Sequence, residues 1–74
     1  MALVRSIENL RMERNTVHDG VRATYCVFRD DRGDAYLQID TYGSSRRQIP
    51  DKKSQTIQFG PEALGQLREI LENL

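Results

Sequence analysis

Residues 36–42 read YLQIDTY, residues 43–53 read GSSRRQIPDKK and residues 54–59 read SQTIQF. Apolar and polar residues alternate in the first and third segments, which is typical of strands with one buried face. Pro50 in the middle segment lacks the backbone N–H that a strand ladder needs, so this segment is expected to be a loop. The sequence therefore predicts two strands joined by a loop, and the other elements are placed around this pair.

Side chains along a strand alternate between its two faces. Leu37 and Ile39 therefore share the face that we expect to be buried. The opposite, open face is shared by Tyr36, Gln38, Asp40 and Tyr42. The loop between the two strands holds four basic residues and one acidic residue. Phenol rings and cations are thus expected to lie side by side.

The preceding part of the chain predicts two further strands. Residues 21–29 are rich in β-branched and aromatic residues, which favours a strand, and Gly33 suits the turn that follows it. Residues 9–17 carry a weaker pattern, and we place the first strand there. Asp19 and Gly20 would form the tight turn between these two strands.

A C-terminal helix is predicted to begin at Pro61, because the missing N–H of proline is tolerated in a first helical turn. The apolar stripe of this helix consists of Leu64, Leu67, Leu71 and Leu74. We expect the stripe to cover the sheet and also to form the interface of a two-fold dimer. The alternative is that it faces its own sheet only. The predicted fold is α+β, with a four-stranded antiparallel sheet followed by one helix.

The chain of 74 residues is long enough for one domain, and residues 1–8 are expected to be a loose tail. A chain this short buries a modest core, which favours a homodimer as a source of further burial. Cys26 is the only cysteine, as is typical of proteins from the reducing cytoplasm. The sequence has neither a long apolar run nor the apolar core of a secretory signal, so no membrane contact is expected.

Few residues offer catalytic or metal-binding chemistry. His18 and Cys26 each occur once, and no zinc-site spacing is present. Asp30, Asp31 and Asp34 are explained as turn-forming residues, and they match no EF-hand pattern. The sequence contains no phosphate-binding glycine loop and no nucleophile motif. We therefore expect no enzymatic activity, metal, cofactor or small-molecule substrate.

Basic and aromatic residues together indicate a binding function. A positive surface with exposed rings suits single-stranded DNA or RNA, since cations meet the phosphates and bases stack on the rings. The candidate nucleic-acid-binding residues are Arg22, Arg29, Arg32, Tyr36, Tyr42, Arg46, Arg47, Lys52 and Lys53. The formal net charge of zero favours the alternative, a protein-interaction module on the same fold.

Residues 24–70 resemble the PC4 family of single-stranded-DNA-binding transcription coactivators. The resemblance is carried by Tyr25, Arg29, Asp30, Gly33, Leu37, Gln38, Ile39, Tyr42, Pro50, Lys52, Lys53, Ile57, Gly60, Pro61, Glu62, Gln66, Leu67, Arg68 and Glu69. Residues 55–57 are also similar to the strand that leads into the helix of the Pur family.

The resemblance to the PC4 family implies a curved four-stranded sheet, a homodimer formed through the helix, and single-stranded DNA on the concave face of the sheet. It implies a role in transcription or DNA maintenance. The basic positions that it carries over are Arg29, Arg32, Lys52 and Lys53. Asp31 and Gly43 stand where that family has an aromatic residue and a tryptophan.

Overall fold

The computed structural model describes residues 1–43 and 52–74. Over these residues the elements are β1 (Ala2–Val4), β2 (Ala23–Arg29), β3 (Ala35–Tyr42), β4 (Lys53–Phe59) and α1 (Pro61–Glu72). The predicted α+β class is confirmed, as is the order of four strands followed by a helix. The two alternating segments form β3 and β4, as predicted.

The strands form one mixed sheet in the order β1-β4-β3-β2. β2 is antiparallel to β3, and β3 is antiparallel to β4. β1, however, runs parallel to β4, so the prediction of a purely antiparallel sheet is wrong. The reason is that residues 5–22 carry the chain from one edge of the sheet to the other, instead of returning directly in a hairpin.

The first strand lies nearer the N-terminus than predicted. Ala2–Val4 pairs with the free edge of β4, with Ala2 opposite Ile57 and Val4 opposite Phe59. Residues 1–8 are therefore not a loose tail. Residues 9–17 form no strand, and Gly20 has no positive φ, so the predicted turn at this point is also wrong. The edge of β2 with which a strand at residues 9–17 would have paired carries no described strand, because the first strand pairs with β4 instead.

The pairing register divides the sheet into two faces, because residues directly opposite each other on neighbouring strands share a face. Ile39 lies opposite both Tyr25 and Ile57. We call the side with these residues the apolar face, and its large apolar side chains are Tyr25, Val27, Leu37, Ile39, Ile57 and Phe59. The same side carries Ala23, Arg29, Ala35, Thr41 and Gln55 at its margins. The other side is the polar face, and it consists of Thr24, Cys26, Phe28, Tyr36, Gln38, Asp40, Tyr42, Thr56 and Gln58.

Helix α1 begins at Pro61, as predicted, and lies against β3. Ala63 is fully buried, and Leu64 and Leu67 are half-buried. We assign α1 to the apolar face, since the side chains of the polar face hydrogen-bond to one another and only the apolar face matches the leucines in chemistry. One part of the predicted stripe therefore packs within the chain.

The apolar face extends beyond the helix. Tyr25 and Val27 on β2 are 75% and 63% exposed. At the far end of the helix, Leu71 and Leu74 are 58% and 94% exposed. Ala63 is the only fully buried apolar residue in the part of the chain that the structure describes. A single copy thus leaves much of its apolar surface in contact with water.

Two glycines should respond in opposite directions to substitution by alanine. Gly33 has a φ of 86°, which a residue with a Cβ adopts at a cost of about 1–2 kcal/mol. Gly65 lies in α1, and the space that a Cβ would occupy there is open. Gly33→Ala should lower the free energy of unfolding by about 1–2 kcal/mol, and Gly65→Ala should raise it by about 1 kcal/mol. Urea unfolding measures both; changes of the same sign would contradict these backbone conformations.

Candidate nucleic-acid interface

A hydrogen-bonded network crosses the middle of the polar face from β3 to β4. Asp40 is only 5% exposed. Its carboxylate accepts hydrogen bonds from the Thr56 hydroxyl and, at 3.1 Å, from Gln38 Nε2. Lys53 Nζ lies 3.4 Å from the same carboxylate, and Gln58 Nε2 donates to Gln38 Oε1 at 2.9 Å. The network ties together the two strands that flank residues 44–51.

The pKa of Asp40 is held below its ordinary value, first by the hydrogen bond from Thr56 and then by the one from Gln38. These bonds, together with the bond and charge of Lys53, outweigh the desolvation that would raise this pKa. Asp40 is therefore an anion at neutral pH. It orients Lys53 at the end of the polar face and offsets part of its positive charge.

The strand ends next to residues 44–51 carry what we call the loop-end cluster, formed by Arg22, Tyr42 and Lys53. The guanidinium carbon of Arg22 lies 4.1 Å from the centre of the Tyr42 ring, which is the geometry of a cation–π contact. Tyr42 Oη lies 3.0 Å from Thr24 Oγ1. Lys53 is opposite Tyr42 in the β3–β4 register. A planar cation stacked on a ring, with a lysine beside it, suits a phosphate with its neighbouring base.

The opposite end of the face carries the turn-end cluster, formed by Phe28, Asp30 and Tyr36. The Phe28 and Tyr36 rings are stacked, with centroids 5.5 Å apart and planes at 13°. Tyr36 Oη donates to Asp30 Oδ2 at 3.0 Å. The other carboxylate oxygen of Asp30 accepts from the backbone N–H groups of Arg32 and Asp34. The turn after β2 thereby holds an aromatic pair at a fixed position.

The hydrogen bond between Tyr36 and Asp30 shifts the pKa of both groups. It is the main cause of the raised pKa of the Tyr36 hydroxyl, with desolvation second. For Asp30, desolvation raises the pKa, but the hydrogen bonds from Tyr36, Asp34 and Arg32 together lower it. At neutral pH Tyr36 is thus a neutral ring that donates to a carboxylate.

The candidate residues fall into two groups at opposite ends of the sheet. Near residues 44–51 lie Arg22, Tyr42, Lys52 and Lys53; near the turn after β2 lie Arg29, Arg32 and Tyr36. The ends are about 20 Å apart along β3, at roughly 3.3 Å per residue. The Arg29 guanidinium donates to the Gly33 carbonyl at 2.7 Å, which fixes it to the turn. Arg46 and Arg47 lie outside the described residues.

Alternation in the sequence places Gln38 on the same face as Tyr36 and Tyr42, but the sequence interpretation missed Phe28, Thr56 and Gln58. Phe28 could have been found, because a hairpin with Gly33 in its turn places it opposite Tyr36. Gln38, Thr56 and Gln58 are ordinary strand residues in sequence. They become a network only through the β3–β4 register, which the long intervening segment hides.

The predicted dimer residues fall into a half-buried pair and an exposed pair. Leu64 and Leu67 are half-buried, whereas Leu71 and Leu74 are exposed. A groove on one flank of the helix is lined by Leu64, Leu67, Arg68, Leu71 and Glu72. The interface itself stays a prediction.

The described residues carry no metal-binding cluster and no membrane-spanning helix. Within residues 1–43 and 52–74, no three His, Cys, Asp or Glu side chains lie together in a way that could hold a metal ion. In the same residues, no helix has the length and apolar character needed to cross a membrane. The candidate site is therefore described by its rings, amides and charges alone.

Acid should destabilise the protein in part through Asp40. Its pKa in the folded protein lies below the usual value of 3.8, so the unfolded chain binds this proton more readily. The resulting stabilisation is complete above the unfolded pKa and is lost as the pH falls through the lower folded value. Asp40→Asn should therefore be less stable than the parent at pH 7 and should lose less stability between about pH 5 and pH 2.

Urea unfolding at a series of pH values measures this effect, and Asp31→Asn, in the exposed turn, is the matched control. We expect Asp31→Asn to follow the parent curve closely. Equal acid sensitivity in the parent and in Asp40→Asn would show that the network around Asp40 does not stabilise its ionised form.

No protein-family model, curated protein or solved structure matches the chain. The similarity to the PC4 family therefore stays a prediction from the residues that carry it. The function has to be inferred from the chemistry of the two faces of the sheet.

Proposed function

We propose that the protein is a non-enzymatic binder of single-stranded DNA or RNA, and that the strand lies along the polar face. The observation that carries the proposal is the composition of this face, where aromatic rings at both ends flank a row of amides and hydroxyls. Phe28 is 39% exposed, and Tyr36, Gln38, Tyr42 and Gln58 are half-exposed. These are the groups that bind unpaired bases by stacking and by hydrogen bonding.

The rings supply the part of the affinity that does not depend on base identity. Every base has a π-face, and one stacked base contributes about 1–3 kcal/mol. Tyr42, with Arg22 on its ring, and the Phe28–Tyr36 pair offer two stacking positions. Their separation along β3 requires a ligand that extends over several nucleotides.

The amides between the rings face the edges of the bases. Gln38 and Gln58 each combine a donor with an acceptor, and Thr56 adds a hydroxyl. Because these groups already bond to one another and to Asp40, a base has to exchange with an existing hydrogen bond. Weak sequence preference is the expected result.

Cations at both ends of the face provide the contacts to phosphate. Arg22, Lys52 and Lys53 lie at the loop end and Arg32 at the turn end, whereas the register places Arg29 on the side of the apolar face, with its guanidinium bound to the Gly33 carbonyl. Arg46 and Arg47, which lie outside the described residues, extend this set in the sequence prediction. Because Lys53 is paired with Asp40, the number of phosphate contacts is small and the binding is expected to be moderate.

A protein-interaction module is the second candidate, and the apolar face favours it. Tyr25, Val27 and Leu71 expose most of their side chains to water. Exposed apolar patches of this kind on small proteins usually mark a surface that another chain covers. This candidate and nucleic-acid binding use opposite faces of the sheet, so variants on each face separate them.

Tyr42→Ala should weaken the binding of a labelled single-stranded oligonucleotide by about 5-fold or more, the loss of one stacked base. Met12→Ala is the control, since it removes an exposed apolar side chain from the segment between β1 and β2, outside both faces of the sheet. Fluorescence anisotropy of single-stranded and duplex oligonucleotides, each at two salt concentrations, measures the affinities. Equal effects of the two substitutions, or no binding of single strands at low salt, would refute the proposal.

The salt dependence tests the phosphate contacts in the same titrations. The double variant Lys52→Ala and Lys53→Ala should lower the slope of log affinity against log salt by about 0.7 for each phosphate that is no longer neutralised. Arg68→Ala removes a positive charge from α1 and should leave the slope unchanged. A slope that follows the total charge of the variant, wherever the charge was removed, would show that binding is not localised on the polar face.

Leu71→Asp should weaken self-association without unfolding the chain. Leu71 is 58% exposed, so a charge at this position costs little in a single copy but would be desolvated in a dimer interface. Sedimentation equilibrium should show at least a tenfold weaker dimer, with an unchanged far-UV circular dichroism spectrum. Glu69→Ala on the same helix is the control. An unaltered mass and melting temperature for Leu71→Asp would exclude the helix from the interface.

A further inference from the structure

The outer edge of β2 is the longest unpaired edge of the sheet in the described part of the chain. β2 spans Ala23–Arg29, and all of its residues are exposed. One side of β2 pairs with β3, and the sheet order places no described strand on the other side. An open edge of this length displays a row of unpaired N–H and C=O groups, which is a template for another strand.

Two hydrogen bonds show which backbone groups point to the open edge. Tyr42 N–H donates to the Arg22 carbonyl at 3.1 Å, and Asp30 N–H donates to the Asp34 carbonyl at 3.1 Å. In an antiparallel ladder, hydrogen-bonded and non-hydrogen-bonded pairs alternate, so the even-numbered residues of β2 bond to β3. The residues with N–H and C=O groups that face outward are Ala23, Tyr25, Val27 and Arg29.

We propose that this edge pairs antiparallel with β2 of a second copy, around a two-fold axis at Cys26. Cys26 is the midpoint of Ala23–Arg29, so this register pairs the whole strand with itself. A two-fold axis at Tyr25 would pair only residues 23–27 of the strand. An axis at Val27 would pair only residues 25–29. The register at Cys26 is therefore the one that satisfies the most backbone groups.

The proposed register matches the direction of the backbone groups. Tyr25 falls opposite Val27 of the second copy, and Ala23 falls opposite Arg29. All four residues direct their N–H and C=O groups outward, so each pair exchanges two hydrogen bonds and the full ladder has about eight. Cys26 directs its own backbone groups toward β3, and it meets Cys26 of the second copy as a non-hydrogen-bonded pair.

The side chains are complementary in the same register. Tyr25 opposite Val27 is an aromatic and β-branched pair on the apolar face, a combination that stabilises sheets. Arg22 falls opposite Asp30 of the second copy, which gives a pair of opposite charges just beyond the strand. Arg29 faces the small Ala23 and not another arginine. No pair in the ladder places like charges opposite each other.

The symmetry also explains the uncovered apolar surface. A two-fold axis perpendicular to the sheet keeps α1 of both copies on the same face. Tyr25 and Val27 of both copies then lie together between the two helices. The strand edge and the helix stripe belong to one dimer in this arrangement.

A consequence that rests on the proposed function concerns the two separated clusters. Because Arg22 falls opposite Asp30 of the second copy, the loop-end cluster of one copy lies beside the turn-end cluster of the other. The polar faces join into one surface on which the Tyr42 ring of one copy and the Phe28–Tyr36 pair of the other are neighbours. Each binding site then contains residues from both copies.

The single cysteine provides a direct test of the register. A non-hydrogen-bonded antiparallel pair has Cα atoms about 4.5 Å apart, within the range of about 4.4–6.8 Å that a disulfide spans. We would treat the purified protein with diamide in the absence of nucleic acid. The two thiols lose two protons and two electrons to diamide, which becomes the hydrazine, and one disulfide forms. Non-reducing gels should show most of the chain as a covalent dimer that dithiothreitol reverses.

The control moves the thiol along the same face of the same strand. In the variant with Cys26→Ser and Thr24→Cys, the thiol lies opposite Phe28, and the two thiols of a pair are too far apart to react. Its cross-linking should be at least tenfold slower than that of the parent. Equal rates would indicate random collisions and would overturn the proposal.

A second variant tests the pairing without oxidation. Val27→Pro removes an N–H group that points to the open edge and leaves the ladder to β3 intact, since proline is tolerated at such positions. Sedimentation velocity should show a monomer with an unchanged far-UV spectrum. A persistent dimer with unchanged cross-linking would refute pairing through β2, whatever the outcome of the oligonucleotide titrations.

Discussion

The limited cover that one helix gives to a four-stranded sheet governs the rest of this structure. Helix α1 has twelve residues and is about 18 Å long and about 10 Å wide. Four strands at about 4.8 Å spacing form a sheet that is wider than the helix. The helix lies against β3, so β2 keeps its apolar residues in water. Small domains often compensate for such a shortage of burial by association, and here the uncovered strand is also the one with an open edge.

The strict alternation in β3 gives one strand two structural roles, one on each face of the sheet. Leu37 and Ile39 lie on the face to which the helix is assigned, while Gln38 and Asp40 hold the other face together by hydrogen bonds. Because the polar face has its own network, it needs no second layer and can remain accessible to a ligand. Asp40 is central to that network, since an ionised carboxylate accepts several bonds at once. The network also fixes the β3–β4 register across residues 44–51.

Local patterns in the sequence predicted β3, β4 and the start of α1, because these elements are specified by neighbouring residues. The alternation of β3 and β4 and the proline at position 61 are signals of this kind, and they placed these strands and the start of α1 correctly. The three residues of β1 carry no period, and their pairing with β4 joins positions more than fifty residues apart. The polar face was likewise predicted only where local alternation places its residues. Tyr36 and Tyr42 followed from alternation, whereas the hydrogen bonds of Gln58 and Thr56 depend on a register that no local pattern contains.

Electrostatics connects the fold with the proposed binding. The chain has no net charge, and the carboxylate of Asp40 offsets part of the charge of Lys53. A long-range field cannot therefore supply most of the affinity for a polyanion. In the proposed function, the affinity would come from stacking and from the number of sites that one nucleic-acid strand contacts at the same time. In the proposed dimer, two copies joined through β2 would double that number on one surface, and a ligand held at one site would meet the second at a high effective concentration. A neutral chain can in this way bind a charged polymer, provided that its polar faces are joined.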